Sequence, residues 1–261
     1  MKYIKESEVK LFFGLTDIGK KREINQDYFI TYKIKDDINL HIVADGLGGY
    51  KAGDVASKVC TEQIIEYLSD KFDKIQSLKS KDSYIKKLLT TSIKQANKKI
   101  YEMEKTDEKY KGMGTTVVLI LTINETIYYL SVGDSRIYYI DNEYKEIKKI
   151  TEDDTYVNSL LKKHIITEKE AKIHTQKHVL TKAIGIFDDI DIIVNKLDKS
   201  SGILLMCTDG VTNMIKDYEL LDIIKNNNTL TNITKEIILK ANDNGGTDNI
   251  TALVISLNER I

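Results

Sequence analysis

The sequence contains no proline and no tryptophan, and it has two cysteines and three arginines among 261 residues. Two thiols, Cys60 and Cys207, are too few for a disulfide framework, and their apolar neighbours predict buried free cysteines. No stretch is apolar enough to predict a signal peptide or a membrane span, so we expect a cytoplasmic protein without a membrane partner. Lysine fills most basic positions, so Arg22, Arg136 and Arg260 are places where a rigid guanidinium fork is expected to matter.

The charges nearly balance, with 39 Lys plus Arg against 40 Asp plus Glu. A protein that coats nucleic acid or lies on an anionic membrane would carry a basic excess, so the balance argues against both kinds of partner. The hydrophobic fraction of 41% suffices for a substantial core. No Gly/Ser-rich linker, low-complexity tract or repeat divides the chain, which predicts one domain over residues 1–261.

Hydrophobic periodicity predicts strands and helices in groups rather than in strict alternation. Strands are predicted at 38–45, 115–123, 126–135, 136–140, 189–197, 202–210 and 249–257. Helices are predicted at 54–69, 82–105, 217–227 and 231–243. Adjacent strands with paired helices favour an α+β fold with antiparallel sheets.

Four aspartates fall at the ends of predicted strands, in glycine-containing turns. They are Asp45, Asp134, Asp209 and Asp248. Mg²⁺ and Mn²⁺ prefer oxygen ligands in octahedral arrangement, and aspartate supplies them on a short stem. Gly46 has no Cβ, so its backbone can come close enough for the carbonyl to serve as a ligand. Each such turn alone is more often ordinary, but several together predict two divalent cations that activate water for attack on a phosphate ester.

Eight sequence blocks carry a family resemblance that spans nearly the whole chain. They are TDIGKKREINQD (16–27), VADGLGGYKAGDVAS (43–57), GMGTTVV (112–118), VGDSRIY (132–138), TEDDTYVNSL (151–160), LTKAIG (180–185), LLMCTDGVTN (204–213) and GGTDNIT (245–251). In this order they resemble the metal-dependent protein phosphatases of the PP2C type, in particular the compact bacterial members. The resemblance implies a four-layer αββα sandwich of two mainly antiparallel β-sheets flanked by helix pairs. It also implies one phosphatase domain over 1–261, with a variable flap at about 151–179 that includes the helical segment 160–173.

The resemblance also implies a set of metal ligands for two Mn²⁺ or Mg²⁺ ions. Asp45 would bridge both ions, the Gly46 carbonyl would bind one, and Asp209 and Asp248 would bind the other. Asp27 would act through a metal-bound water. Bacterial relatives often bind a third, weaker ion, and Asp134 together with Asp209 matches the positions that hold it.

Two further positions bear on the reaction. Arg22 matches the phosphate-binding arginine of the family, and the scarcity of arginine supports that role independently, since a bidentate fork suits phosphate. For Arg136, which lies beside Asp134, we expect a structural pairing with a carboxylate. Leu47 departs from eukaryotic members, which have histidine there, thought to protonate the leaving group. The sequence offers no obvious replacement acid, although bacterial relatives commonly have an apolar residue at this position.

Other interpretations explain less of the sequence. GLTDIGKK (14–21) has the frame of a nucleotide-binding P-loop but carries Lys21 where Ser or Thr is required. His174 and His178 lie four apart on a predicted helix without a third metal ligand, which favours a surface pair. A two-metal nuclease would need a basic groove, and a cysteine-based phosphatase would need an arginine soon after its cysteine.

We therefore expect a monomeric enzyme that hydrolyses phosphoserine and phosphothreonine in proteins. The resemblance implies that its partners include a bacterial Ser/Thr protein kinase and the substrates of that kinase. The alternative is a non-catalytic regulatory module of the same fold, although all the candidate ligands are present. Hydrolysis of a phosphothreonine peptide would separate the two.

Overall fold

The structure is a computed structural model that describes residues 11–49, 52–73, 82–199 and 201–258. Three sequence expectations reach beyond these ranges. The predicted domain boundaries at 1 and 261, residues 50–51 of the second sequence block, and Arg260 all lie outside the described residues.

The described residues form two β-sheets and several helices. The strands are β1 (Phe12–Asp17), β2 (Asp27–Lys35), β3 (Ile38–Leu47), β4 (Gly114–Thr115), β5 (Val117–Ile123), β6 (Thr126–Val132), β7 (Arg136–Ile140), β8 (Ile147–Lys149), β9 (Asn195–Leu197), β10 (Ile203–Cys207) and β11 (Ile250–Ser256). The helices are α1 (Ala52–Asp73), α2 (Asp82–Thr106), α3 (Tyr156–Lys162), α4 (Glu168–Ile173), α5 (Asp209–Thr212), α6 (Asp217–Asn226) and α7 (Leu230–Asp243). One sheet has the order β1-β11-β10-β7-β8, and the other has the order β2-β3-β5-β6-β9 with β4 added to β3.

Side chains alternate between two cores along each central strand, because successive residues of a strand face opposite sides of the sheet. In β3, Ile42 packs in the cluster that contains α1 and α2, whereas Val43 faces the other sheet. In β10, Leu205 packs with α6 and α7, whereas Met206 faces the sheet that contains β3 and β5. The layers are therefore helices, sheet, sheet and helices, and all strand pairs are antiparallel. The predicted α+β fold, a four-layer αββα sandwich, is confirmed.

Two predicted elements differ most from the structure. The strand at 189–197 exists only as β9, which pairs with β6 from Asn195 onwards. Ile190 is buried against the α1–α2 cluster, so the apolar spacing upstream of β9 reflects packing without strand pairing. The helical segment at 160–173 is split between α3 and α4. The chain turns at His164, whose φ is 54°, and Thr167 caps the start of α4.

The two cysteines are buried and free, as expected. Burial is the main cause that raises the pKa of Cys60 and of Cys207 to about 12, so both thiols stay protonated at neutral pH. Among the residues that the structure describes, no helix has the length and hydrophobicity needed to cross a membrane.

Candidate active site

The predicted site residues of the two sheets meet at one end of the sandwich. Strand pairing places Asp27 of β2 directly opposite Asp45 of β3. Asp27 also reaches the other sheet, because its Oδ2 accepts hydrogen bonds from Thr208 Oγ1 at 2.8 Å and from Thr251 Oγ1 at 2.7 Å. Asp209 follows Thr208 as the first residue of α5. Asp27 therefore links the end of β3 to the ends of β10 and β11.

Close backbone packing brings Asp209 and Asp248 to the same end of the sandwich. A Cβ atom on Gly210 would lie 1.9 Å from the Asn249 carbonyl oxygen, so only glycine allows α5 to start this close to the segment before β11. Gly46 is packed in the same way, since a Cβ there would lie 2.1 Å from the Gly53 carbonyl oxygen. The glycines beside the predicted ligands are required by these contacts.

Four of these aspartates have raised pKa values, first because of burial and then because of neighbouring carboxylates. Burial is the main cause that raises the pKa of Asp45 well above its ordinary value, and the charge of Asp27 is the next cause. Burial and neighbouring carboxylates raise the pKa of Asp27 and that of Asp134 to about 7. The pKa of Asp209 is also raised, first by burial and then by the charge of Asp248. A divalent cation among these oxygen atoms would relieve the repulsion, and oxygen donors are those that Mg²⁺ and Mn²⁺ prefer.

Unpartnered oxygen atoms also fit a cation. Within the described part of the chain, Asp27 Oδ1 and Asp209 Oδ1 are buried and accept no hydrogen bond. Buried carboxylate oxygens without partners are costly, and metal coordination is one way to satisfy them. No three His, Cys, Asp or Glu side chains of the described residues converge tightly enough to hold an ion by themselves. Ions such as Mg²⁺ commonly take one or two carboxylates and complete the shell with other oxygen donors, including water.

Arg22 reaches the same group of carboxylates from the loop between β1 and β2. Its Nη2 lies 2.8 Å from Asp248 Oδ2, and about half of its side chain is exposed. The hydrogen bond to Asp248 is the main cause that raises the pKa of Arg22, and the charges of Asp45 and Asp209 add to it. The remaining guanidinium N–H groups can bind an anion at the edge of the site.

Asn249 fixes the loop that carries Arg22, and sequence reasoning missed this residue. Its Nδ2 donates to the carbonyl oxygens of Ile18 and Ile24 at 3.0 Å each, and its Oδ1 accepts from the Gln26 N–H at 2.9 Å. The side chain is buried. Its position directly after Asp248 in GGTDN was the available signal.

Arg136 pairs with a carboxylate, as expected, and its partner is Asp153. Nη2 lies 2.7 Å from Asp153 Oδ2, and Nε donates to both oxygens of the same carboxylate at 3.1 and 3.2 Å. Its Nη1 donates to the Tyr138 hydroxyl at 3.1 Å. Asp134 is nearby, and the positive charge of Arg136 lowers the pKa of Asp134 against the effect of burial. Arg136 is thus part of the frame around Asp134.

The segment at 151–179 is joined to the site by Asp154. Asp154 N donates to the Gly133 carbonyl at 2.8 Å, and Gly133 N donates to Asp154 Oδ2 at 3.1 Å. Thr181 N donates to the Asp154 carbonyl at 2.8 Å, so both ends of the segment meet next to the turn that carries Asp134. These bonds were not foreseen from the sequence.

The two flap histidines lie in different surroundings from those predicted. Helix α4 ends at Ile173, so His174 and His178 do not share a helix. The His174 ring lies 6.0 Å from the Tyr156 ring, centroid to centroid. His178 is exposed but close enough to Asp209 for its charge to lower the pKa of that carboxyl, against the effect of burial.

Comparisons with known proteins agree with this geometry. The family model described as "Protein phosphatase 2C" matches residues 19–251. Protein phosphatase PhpP of Streptococcus pneumoniae is 35% identical over 247 residues, which cover 94% of this chain and 96% of that protein. Serine/threonine phosphatase stp of Listeria innocua is 34% identical over 244 residues, which cover 93% and 94%. The solved serine/threonine phosphatase of S. agalactiae superposes with a TM-score of 0.84 at 34% identity, covering 94% of this chain and 98% of that one.

Proposed function

Because the chain belongs to the protein phosphatase 2C family and is a protein serine/threonine phosphatase, we propose that it works with divalent cations held by the aspartates described above. The observation that carries the proposal is the group of buried or partly buried carboxylates with raised pKa values, two of which have a buried oxygen without a hydrogen-bond partner. When bound, Mn²⁺ or Mg²⁺ supplies Lewis acidity that eases deprotonation of the attacking water and offsets charge on the phosphoryl group.

We assign each ligand an individual role in this proposal. Asp45 would be a ligand of both ions, and the Gly46 carbonyl would bind one of them. Asp209 and Asp248 would bind the other ion, and Asp27 would contribute through a water molecule. In a third, weaker site, Asp134 would act together with Asp209, whose charge raises the pKa of Asp134.

The protein side chains orient the substrate and the water. Arg22 binds the phosphate of the substrate with the guanidinium N–H groups that face solvent, while Asp248 holds the other side of the fork. The two threonine hydrogen bonds fix Asp27 through Oδ2, which leaves Oδ1 available to accept a hydrogen bond from water in the site. Leu47 has no proton to give, so the leaving serine or threonine oxygen takes its proton from water.

We extend the proposal to the setting of the enzyme. The substrates are phosphorylated proteins, and they include a Ser/Thr protein kinase and the substrates of that kinase. The enzyme acts as a cytoplasmic monomer, and residues 1–261 form one domain whose flap at about 151–179 borders the substrate cleft. The hydrogen bonds of Asp154 beside Asp134 support this place for the flap.

The test is hydrolysis of a phosphothreonine peptide with Mn²⁺ and with EDTA, by wild type and by Asp209→Asn. We expect activity only with Mn²⁺ and a loss of about 100-fold or more in kcat for the variant, since a ligand is removed. Asp36→Asn is the matched control, because Asp36 is almost fully exposed and pairs with Lys33. Activity that resists both EDTA and Asp209→Asn would refute the metal mechanism. Binding of Mn²⁺ without hydrolysis of any phosphopeptide would favour the non-catalytic regulatory module.

A further inference from the structure

Two exposed apolar side chains, Ile186 and Phe187, lie on the loop that follows the flap. Ile186 is 39% exposed and Phe187 is 45% exposed. Large apolar side chains in water carry a free-energy cost, and neighbouring ones that remain exposed commonly mark a binding surface. Together with the half-buried Leu47, we call Ile186 and Phe187 the apolar rim.

The loop under the apolar rim is held in place by a buried amide. Asn97 of α2 donates through Nδ2 to the Phe187 carbonyl at 2.8 Å and to the Asp188 carbonyl at 3.2 Å. Its Oδ1 accepts from the Gly185 N–H at 2.8 Å. Asn97 is 2% exposed, so these bonds are shielded from water. The loop therefore presents Ile186 and Phe187 on a fixed backbone.

A short chain of contacts connects the apolar rim to the candidate active site. Thr115 and Ile184 exchange two backbone hydrogen bonds, of 3.0 and 2.9 Å, and Thr115 Oγ1 donates to the Asp45 carbonyl at 2.9 Å. Leu47 pairs with Gly114, and a Cβ on Gly114 would lie 2.8 Å from Ile186 Cδ1. Leu47 and Ile186 therefore both lie next to Gly114, close to the end of β3 that carries Asp45 and Gly46.

We propose that the apolar rim binds an apolar side chain of the phosphoprotein substrate, close to the phosphorylated serine or threonine. Ile186 follows Ile184 by two residues, and Ile184 is hydrogen-bonded to Thr115, which in turn donates to the Asp45 carbonyl. The distance from Ile186 to Asp45 is therefore that of about four extended peptide residues or fewer. A peptide whose phosphate reaches Asp45 and Arg22 has to lie across the adjacent surface. The proposal rests on the proposed phosphatase function and adds a preference for sequence around the phosphorylated residue.

The test compares peptides that differ only in one position. Each peptide carries one phosphothreonine in a polar sequence, with a single leucine at one of the positions up to about four residues on either side. We expect one or two of these positions to lower KM about tenfold relative to the all-polar peptide, with little change in kcat. Phe187→Ala should abolish the preference, and Phe187→Leu should keep most of it.

Controls separate this proposal from the phosphatase function. p-Nitrophenyl phosphate is too small to reach the apolar rim from the site, so its hydrolysis should be equal in wild type and Phe187→Ala. Leu239→Ala is the matched variant, because Leu239 is an exposed apolar residue of α7 on the opposite helix layer. Equal KM values for all peptides in wild type, or a preference that survives Phe187→Ala, would overturn the role of the apolar rim. If wild type did not hydrolyse p-nitrophenyl phosphate with Mn²⁺, the proposed function would fail and the apolar rim with it.

Discussion

Replacing Asn249 by alanine should loosen the loop that carries Arg22 without unfolding the protein. The change removes three hydrogen bonds, to the carbonyls of Ile18 and Ile24 and from the N–H of Gln26. At about 1 kcal/mol each, the free energy of unfolding should fall by about 3 kcal/mol. A typical domain has about 5–15 kcal/mol, so the variant should remain folded at 25 °C. Urea unfolding monitored by circular dichroism measures the loss.

The same change should weaken catalysis through Arg22. A displaced phosphate-binding arginine misaligns the substrate, and we expect about a tenfold lower kcat/KM for a phosphothreonine peptide. If Asn249 acts by positioning Arg22, the effects of Asn249→Ala and Arg22→Ala should not multiply. The double variant should then be within about threefold of Arg22→Ala alone. Fully multiplicative losses, or normal kcat/KM in Asn249→Ala, would refute the reasoning.

Two further predictions follow from the buried titratable groups. Asp45→Asn should abolish Mn²⁺-dependent hydrolysis and yet raise the Tm measured in EDTA at pH 8 by about 2–4 °C, because it removes one of several mutually repelling charges that are shielded from water. A lower Tm would contradict this. Burial lowers the pKa of His41 to about 3, so between pH 6.5 and 3 the unfolded chain binds a proton that the folded protein does not. Stability should therefore fall with pH in this window, and wild type should lose about 2 kcal/mol more than His41→Asn between pH 7 and pH 5 in urea unfolding. Equal losses in the two proteins would count against a buried neutral imidazole.

The strands that carry the site were predictable because their pattern has one physical origin. Alternation in 38–45 reflects β3 lying between the helices and the other sheet, and Asp45 ends the row that faces that sheet. The same criterion failed at 189–194, where Ile190 is buried beside the helices without a strand partner. The spacing of apolar residues predicts which side chains are buried, but it does not predict which backbone groups are hydrogen-bonded to another strand.

The residues that support the site were harder to foresee. The side chains of Asn249 and Asn97 bond to backbone groups far away in the sequence, such as those of Ile18 and Phe187. A single asparagine forms no periodic pattern from which such hydrogen bonds could be predicted. The assignments of the metal ligands and of Arg22 came from motif resemblance.

The pairing of β1 with β11 has a consequence for the order in which the enzyme becomes competent during synthesis. β1 is the first described strand and has β11, the last one, as its partner in the sheet. Asp248 and Asn249 lie directly before β11, and Thr251 lies at its start, so an emerging chain that ends before them lacks a candidate ligand and the amide that holds the Arg22 loop. A chain still on the ribosome therefore carries Asp45 long before it carries every residue of the candidate active site.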